Sequence, residues 1–544
     1  MCPSPITRMI VRRQRGAAFM VMLVIMIIGT VAFLASSLSS SVIAAARNAT
    51  TADALAQAKD ALIGRAASDN TVPGSLPCPD THAPGSSLEG TADFGTPCTS
   101  YIGRLPWKTL GLPDLRDGSG ERLWYALSIN YRDIIGSTVN SDTQGTISIF
   151  SSDGTRLNDG TTANGAVAVI ISPGNVITLQ GGTLQDRSST GTTTPSNYLD
   201  VATISGNTLN NSVFSGSSLA TTGFIQGPVK DINSNVIVND QVLVITRDQL
   251  MSVVEMRIAR EAKKCLDDYA AAPSNANHRY PWATIVNDST QPPQVRTGTY
   301  QVLFGRVGDT PSIDTSPPGT PPTGTLLTYI QAVQTALTSY INTQSTLNLN
   351  ALNNAGDKLK DFAAPGSSAQ TAGVAADGCT GMSCTTTLSY QLYTAMGGGN
   401  PDTTMPINWP FTCTITSSSY WSDWRDLVFY QVAAGYQPQS TSTPTSCTAG
   451  TTCLTISGSG SYRAVVLVSR KALLPGQARP SYVNPPDNYL ETNGTISNSH
   501  QSVITPPPSV NFITYSPSDN NYLTVNDLAL CLDGNGVNPT SVCK

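Results

Sequence analysis

Oxygen-bearing side chains crowd most densely in residues 103–127, GRLPWKTLGLPDLRDGSGERLWYAL. Asp114, Asp117, Ser119 and Glu121 there are of the kind that Ca²⁺ takes as ligands. Their spacing departs from the EF-hand loop. The same residues also read as a Gly-rich turn leading into a strand over 122–128, with Trp107 and Trp124 buried. The expectation is therefore no resident cofactor, with Ca²⁺ at Asp114, Asp117 and Glu121 as the one candidate. The three histidines, His82, His278 and His500, stand in unrelated contexts, and no C-x-x-C occurs, so the spacing does not favour zinc. P-loop, G-x-S-x-G and H-E-x-x-H signatures are missing. Asp267 and Asp268 sit beside Lys263 and Lys264, where a solvated helix face is the ordinary reading. No enzymatic activity is expected.

Eleven cysteines remain to be explained. Cys2 precedes a long apolar segment and the other ten lie beyond it. Cys78 and Cys98, Cys379 and Cys384, Cys447 and Cys453, and Cys531 and Cys543 are close in sequence, while Cys265 and Cys413 are left over. An even number beyond the segment fits disulfides in an exported, oxidising compartment. Connectivity stays open, and buried free thiols are the alternative.

The apolar segment covers residues 17–38, AAFMVMLVIMIIGTVAFLASSL, with Arg12, Arg13 and Arg15 ahead of it and no acidic residue before Asp53. About 20 such residues cross a bilayer core. The positive charges would hold the N-terminus in the cytoplasm and send the rest across. A cleaved secretory signal, a plain transmembrane anchor and a longer helical spine all begin this way. The composition around and beyond the segment favours the spine: no proline occurs between Pro5 and Pro73, and Gly29 stands alone between Gly16 and Gly64. Ala52, Leu55, Ala56, Leu62 and Ile63 then recur at helical spacing among polar residues.

A basic leader, Gly16, an apolar run and a continuing amphipathic helix resemble a type IV pilin or a type II secretion pseudopilin over residues 8–66. The resemblance implies cleavage after Gly16 by a prepilin peptidase, a mature chain starting at a methylated Ala17, and a bacterial inner-membrane protein whose C-terminal region is periplasmic or part of a filament. Most pilins carry a glutamate at the fifth mature position, where this chain has Val21. That glutamate pairs with the amino terminus of a neighbouring subunit, so its absence points to a minor or tip-located subunit. A disulfide-closed C-terminal loop, here Cys531 and Cys543, is likewise a feature of type IV pilins.

The exported part repeats itself in order. Residues 123–127 resemble 427–432, residues 166–172 resemble 464–469, Asn197-Tyr198-Leu199-Asp200 returns as Asn488-Tyr489-Leu490-Glu491, and Val238-Asn239-Asp240 returns as Val525-Asn526-Asp527. The reading is an internal duplication: a leader over 1–16, a transmembrane and amphipathic helix over 17–66, a first β-rich domain over 67–246, a second helix over 247–272, and a second β-rich domain with insertions over 273–544. The expected fold class is α+β, a long transmembrane-plus-amphipathic helix on an antiparallel β domain, then a second helix-plus-sheet copy. A helix is also expected over 325–342. The net charge of −5 gives no concentrated basic face for nucleic acid. Expected partners are the membrane, other pilin or pseudopilin subunits, the prepilin peptidase, and a surface or secreted-protein ligand. The expected role is a structural subunit in the assembly or tip of a type IV pilus or type II secretion filament; the alternative is a membrane-anchored adhesin that does not polymerise.

Overall fold

The computed structural model describes the chain apart from residues 1–16, 96, 188–193, 220, 285, 287–301, 316–321, 439–447, 474–476, 478, 480–485, 501–509, 515–524 and 534–544; side chains are also left out at 17–18, 32–41 and 417. Helix α1 (Ala17–Ser68) runs without interruption through 52 residues, as a stretch free of proline permits. Its side chains at 19–28 and at Val31 are large, apolar and 47–73% exposed. From Thr51 onward one face turns inward, and Thr51, Ala54, Leu55, Ala58, Leu62 and Ala66 are buried at three- and four-residue spacing.

Among the described residues no helix is long and apolar enough to cross a membrane, which corrects the expected α+β chain opened by a transmembrane helix. The apolar side chains described on α1 at 19–31 cover about 20 Å of rise, short of the roughly 30 Å hydrocarbon core. The architecture is also more mixed than one antiparallel β domain per half, with several helices and many small sheets.

The chain divides into two units that interleave in sequence: Met1–Leu62, Pro77–Ile129 and Thr146–Ile245 form unit 1, and Ile63–Leu76, Asn130–Gly145 and Thr246–Lys544 form unit 2.

Unit 1 contains β1 (Ile102–Arg104), β2 (Trp124–Leu127), β3 (Ile149–Phe150), β4 (Arg156–Asn158), β5 (Ala166–Ser172), β6 (Val201–Ile204), β7 (Asn207–Asn210), β8 (Phe224–Ile225), β9 (Val229–Lys230), β10 (Val236–Val238) and β11 (Gln241–Thr246). Its main sheet has the order β1-β2-β5-β11. Strand β5, Ala-Val-Ala-Val-Ile-Ile-Ser, is buried at every position, which is why it is apolar up to its closing serine instead of alternating. A second sheet has the order β4-β3-β8, with β3 parallel to β8 and antiparallel to β4, and β6 pairs β7 as a hairpin.

Unit 2 opens its main stretch with α2 (Arg247–Ala270). Thr246 caps it through a reciprocal capping box with Gln249. Leu250, Val254, Ile258, Leu266 and Tyr269 form its buried face. Strand β12 (Phe304–Arg306) precedes a helical insertion, α3 (Gly324–Asn342), α4 (Thr346–Phe362), α5 (Ser368–Asp377) and α6 (Ser383–Ala395). This insertion has its own core, including Ile330, Val333, Leu352, Leu359, Ala372 and Leu388. After the short α7 (Trp421–Trp424) come β13 (Val428–Val432), β14 (Leu454–Ile456), β15 (Ser459–Tyr462), β16 (Ala464–Val468), β17 (Thr492–Asn493), β18 (Ile496–Ser497), β19 (Asn511–Phe512) and β20 (Leu528–Leu532). Helix α2 packs on β16 and β20.

One topology occurs twice. The order β12-β13-β16-β20 in unit 2 matches β1-β2-β5-β11 in unit 1; β15-β14-β19, with β14 parallel to β19, matches β4-β3-β8; and the hairpin β17-β18 matches β6-β7. The likeness extends to single residues. Gly103 of β1 and Gly305 of β12 sit where a Cβ would stand 2.7 Å from the carbonyl of Asp80 and 1.9 Å from that of Thr284, because a further stretch of chain bridges to the arginine after each glycine.

Candidate functional site

The oxygen-rich turn of unit 1 spends its carboxylates on the protein itself. Asp117 Oδ1 accepts from the backbone N–H of Ser119 (2.8 Å) and Glu121 (2.9 Å), and Oδ2 accepts from Ser172 Oγ (2.8 Å) and the N–H of Gly174 (2.9 Å). Asp114 Oδ2 accepts from Arg116 (2.7 Å), and Asp114 Oδ1 lies 3.1 Å from Arg122 Nε. Burial pushes the Asp114 carboxyl up, but the hydrogen bonds and charges of Arg122 and Arg116 outweigh it and hold the group below its usual range. Glu121 is 3.2 Å from Arg187. The three residues are thus engaged separately, and among the described residues no group of three or more His, Cys, Asp or Glu could hold a metal ion. The turn also docks α1: the N–H of Gly118 donates to Thr51 Oγ1 (2.9 Å), and Thr51 in turn donates to the carbonyl of Arg47 (3.0 Å).

A denser constellation lies where the repeated Asn-Tyr-Leu-acid and Val-Asn-Asp segments meet. In unit 1, Asp200 precedes β6, Asn211 follows β7 and Asp240 precedes β11, and all three are fully buried. Asp200 Oδ2 accepts from the N–H groups of Asn239 (2.7 Å) and Asp240 (3.1 Å), and Oδ1 accepts from Gln185 Nε2 (2.8 Å). Asp240 Oδ2 accepts from the N–H of Asp200 (2.7 Å) and from Asn211 Nδ2 (2.9 Å). Asn211 also pairs with both backbone groups of Ile225 on β8, at 2.9 and 2.7 Å. Arg187 stacks 5.1 Å from the Tyr198 ring and donates to Gln185 Oε1 (2.8 Å) and to the Tyr198 carbonyl (3.3 Å).

Unit 2 repeats the arrangement. The N–H of Asn526 donates to Glu491 Oε2 (3.2 Å), and Gln477 Nε2 donates to Oε1 (3.1 Å). Asp527 Oδ2 accepts from the N–H of Glu491 (2.9 Å) and from Asn498 Nδ2 (3.0 Å). Asn498 holds both backbone groups of Ile513, at 2.7 and 2.8 Å. Arg479 stacks 5.5 Å from the Tyr489 ring and donates to the Tyr489 carbonyl (2.9 Å). Glu491 thus stands, with one more methylene, where Asp200 stands in unit 1, with one backbone N–H on Oε2 in place of two.

Electrostatics follow from depth. Burial pushes the Asp200 carboxyl up to about 6, against the pull of the Asn239 and Asp240 N–H groups. Burial, and then the charge of Asp200, push Asp240 well above the carboxylate range. Burial and the charge of Glu491 do the same to Asp527. The sequence marks the two echoed segments as repeats but gives no sign of Gln185, Arg187, Asn211, Gln477, Arg479 or Asn498. The one available signal is Gln-x-Arg upstream of each Asn-Tyr-Leu.

Cysteine pairing is explicit at three places: Cys78–Cys98, Cys265–Cys413 and Cys379–Cys384 are disulfides. Cys453 and Cys531 are disulfide-bonded as well, while Cys447 and Cys543 lie outside the described residues. Gly16 also lies outside them, Ala17 is the first residue of α1, and Val21 is 58% exposed on that helix. The histidines are apart in their bonding: His82 meets Asp80 (2.9 Å), His278 the carbonyl of Ala270 (2.8 Å), and His500 Gln431 (2.7 Å). No family model, no curated protein and no solved structure matches the chain.

Proposed function

We propose that the chain is an exported structural subunit of pilin or pseudopilin type, joined to neighbouring subunits through the apolar half of α1. The observation that carries this reading is the division of labour along one helix. Residues 19–28 and Val31 expose apolar side chains all round, while the stretch from Thr51 onward buries one face. A helix that is apolar on every side needs a cover that water does not supply. Like helices of adjacent subunits provide one. The disulfides favour export to an oxidising compartment, since such bonds persist there and are reduced in a cytosol.

Val21 gives the reading its finer form. It stands where the resemblance expects a glutamate for pairing with a neighbour's amino terminus, and a valine supplies no such charge. The subunit then belongs at an end of an assembly, or in its initiation, and not in its repeating body. Intact-mass measurement of the chain from cells with and without prepilin peptidase tests the proposal. The expected mature form begins at Ala17 and becomes heavier by residues 1–16 when the peptidase is deleted. The same amino terminus in both strains contradicts it.

A further inference from the structure

Four carboxyl oxygens meet in the constellation of unit 1, and three of them have donors. Asp200 Oδ1 takes Gln185, Asp200 Oδ2 takes two backbone N–H groups, and Asp240 Oδ2 takes Asp200 N–H and Asn211. No donor among the described residues reaches Asp240 Oδ1. The two carboxyl groups are within hydrogen-bonding reach of each other. In unit 2 the same oxygen, Asp527 Oδ1, is the one left without a donor, and Asp527 is within reach of the Glu491 carboxyl. An orphaned acceptor at zero exposure is costly, and a second uncompensated charge beside it is costlier. One proton cures both: it removes a charge and turns the orphaned acceptor into a donor toward the neighbouring carboxylate.

We propose that each unit is closed by a carboxyl–carboxylate pair sharing a single proton, carried by Asp240 in unit 1 and by Asp527 in unit 2. The pair acts as a pH-sensitive latch between the hairpin and the last strand of the main sheet. The geometry defines what it fastens. Asp200 and Asn211 flank the β6-β7 hairpin, Asp240 leads into β11, and Asn211 grips Ile225 of β8. Glu491 and Asn498 flank β17-β18, Asp527 leads toward β20, and Asn498 grips Ile513 beyond β19. Loss of the proton places two like charges side by side in a buried site, where the hairpin meets the last strand of the main sheet.

Other charges bear on the pair. Arg187 faces Asp200 and Asp240 but is also 3.2 Å from Glu121. Arg479 is 3.8 Å from Glu491 and 3.3 Å from Asp142. Asn526 Nδ2 is held by the carbonyl of Lys471, whose ammonium is paired with Asp248. His500 stands next to the unit 2 hairpin, with Nε2 against the carbonyl of Ser497 (2.7 Å); burial lowers it to about 4. A depressed histidine weakens the fold as pH falls, opposite in sense to the latch, so the test compares each variant with wild type at every pH. A carboxyl whose folded-state value is raised stabilises fully below its unfolded value and loses that contribution as pH rises through the folded one.

The test uses the full chain and hydrogen exchange of the hairpin amides at 201–210 and 492–497, corrected for intrinsic rates, from about pH 5 to about pH 8. Wild-type protection should fall with rising pH by up to roughly tenfold per unit between the ordinary carboxylate range of the opened hairpin and the raised value of the folded pair, and level off above it. Asp240→Asn, which places an amide donor where the proton sits, should keep the unit 1 hairpin protected and flatten its pH dependence. Asp200→Asn should lose protection at every pH, because its amide would face Gln185 or the two N–H donors. Asp527→Asn and Glu491→Gln repeat the contrast in unit 2 and keep the test open if one unit 1 variant fails to fold. Flat wild-type protection, or equal damage from Asp240→Asn and Asp200→Asn, and likewise in unit 2, would overturn the proposal.

Discussion

Gly305 and Gly103 show what a single missing Cβ does for this fold. Each lets a neighbouring segment come close enough to bridge the arginine that comes next, Arg306 to Thr284 and Arg104 to Asp80. Gly305→Val should cost about 1–3 kcal/mol or more, because a side chain there overlaps the Thr284 carbonyl. Gly103→Val should also destabilise, by less, since its clash with Asp80 is milder. Denaturant titration of the two variants checks the order, and equal, negligible effects would count against the packing described. At this scale the sequence was only partly legible. Asp114, Asp117 and Glu121 stood out as oxygen donors, but a carboxylate that caps a turn and one that binds an ion are the same residue type. The donors already on Asp117, the N–H groups of Ser119, Glu121 and Gly174 and the Ser172 hydroxyl, distinguish them. Asn211 and Asn498 were not legible at all, since a lone asparagine in a polar stretch carries no periodic signal.

Among the elements, α2 and β5 were the clearest in the sequence. The first has an apolar face at helical spacing and ends before Pro273, and the second is a bounded apolar run. Helices α4 to α6 were not, because Asn-, Thr- and Gly-rich stretches such as TLNLNALNNAGDKLKDF have weak helix propensity and fold by packing against one another. Cys265–Cys413 ties α2 to the chain beyond that insertion across a separation of 148 residues, whereas Cys379–Cys384 closes a separation of 5. Loop-closure entropy therefore assigns the larger share to the first. Replacing Cys265 and Cys413 together by serine should lower stability by about 2–5 kcal/mol, and replacing Cys379 and Cys384 by clearly less. Equilibrium unfolding in urea, with free thiols counted, checks the ranking.

For the whole molecule, two units repeat a main sheet, a side sheet, a hairpin and a buried carboxyl pair, and differ chiefly in what is inserted. The span between β1 and β2 in unit 1, residues 105–123, contains no helix and docks α1 through Gly118, while the corresponding span in unit 2 holds α3 to α7. Echoed tetrapeptides made the order of the repeat legible, yet the interleaving of the units was not, because residues 130–145 give no sign of where they pack. The transmembrane expectation is not met among the described residues, whose apolar side chains on α1 span less than a bilayer core. The proposed role requires other protein subunits to cover the apolar half of α1. A photo-crosslinking residue at Val21 or Met22, with a control at Asp60, tests it most directly in cells. A discrete adduct with another protein chain is expected from Val21 and Met22 and none from Asp60. Adducts with lipid alone, or no adduct from either position, would contradict it.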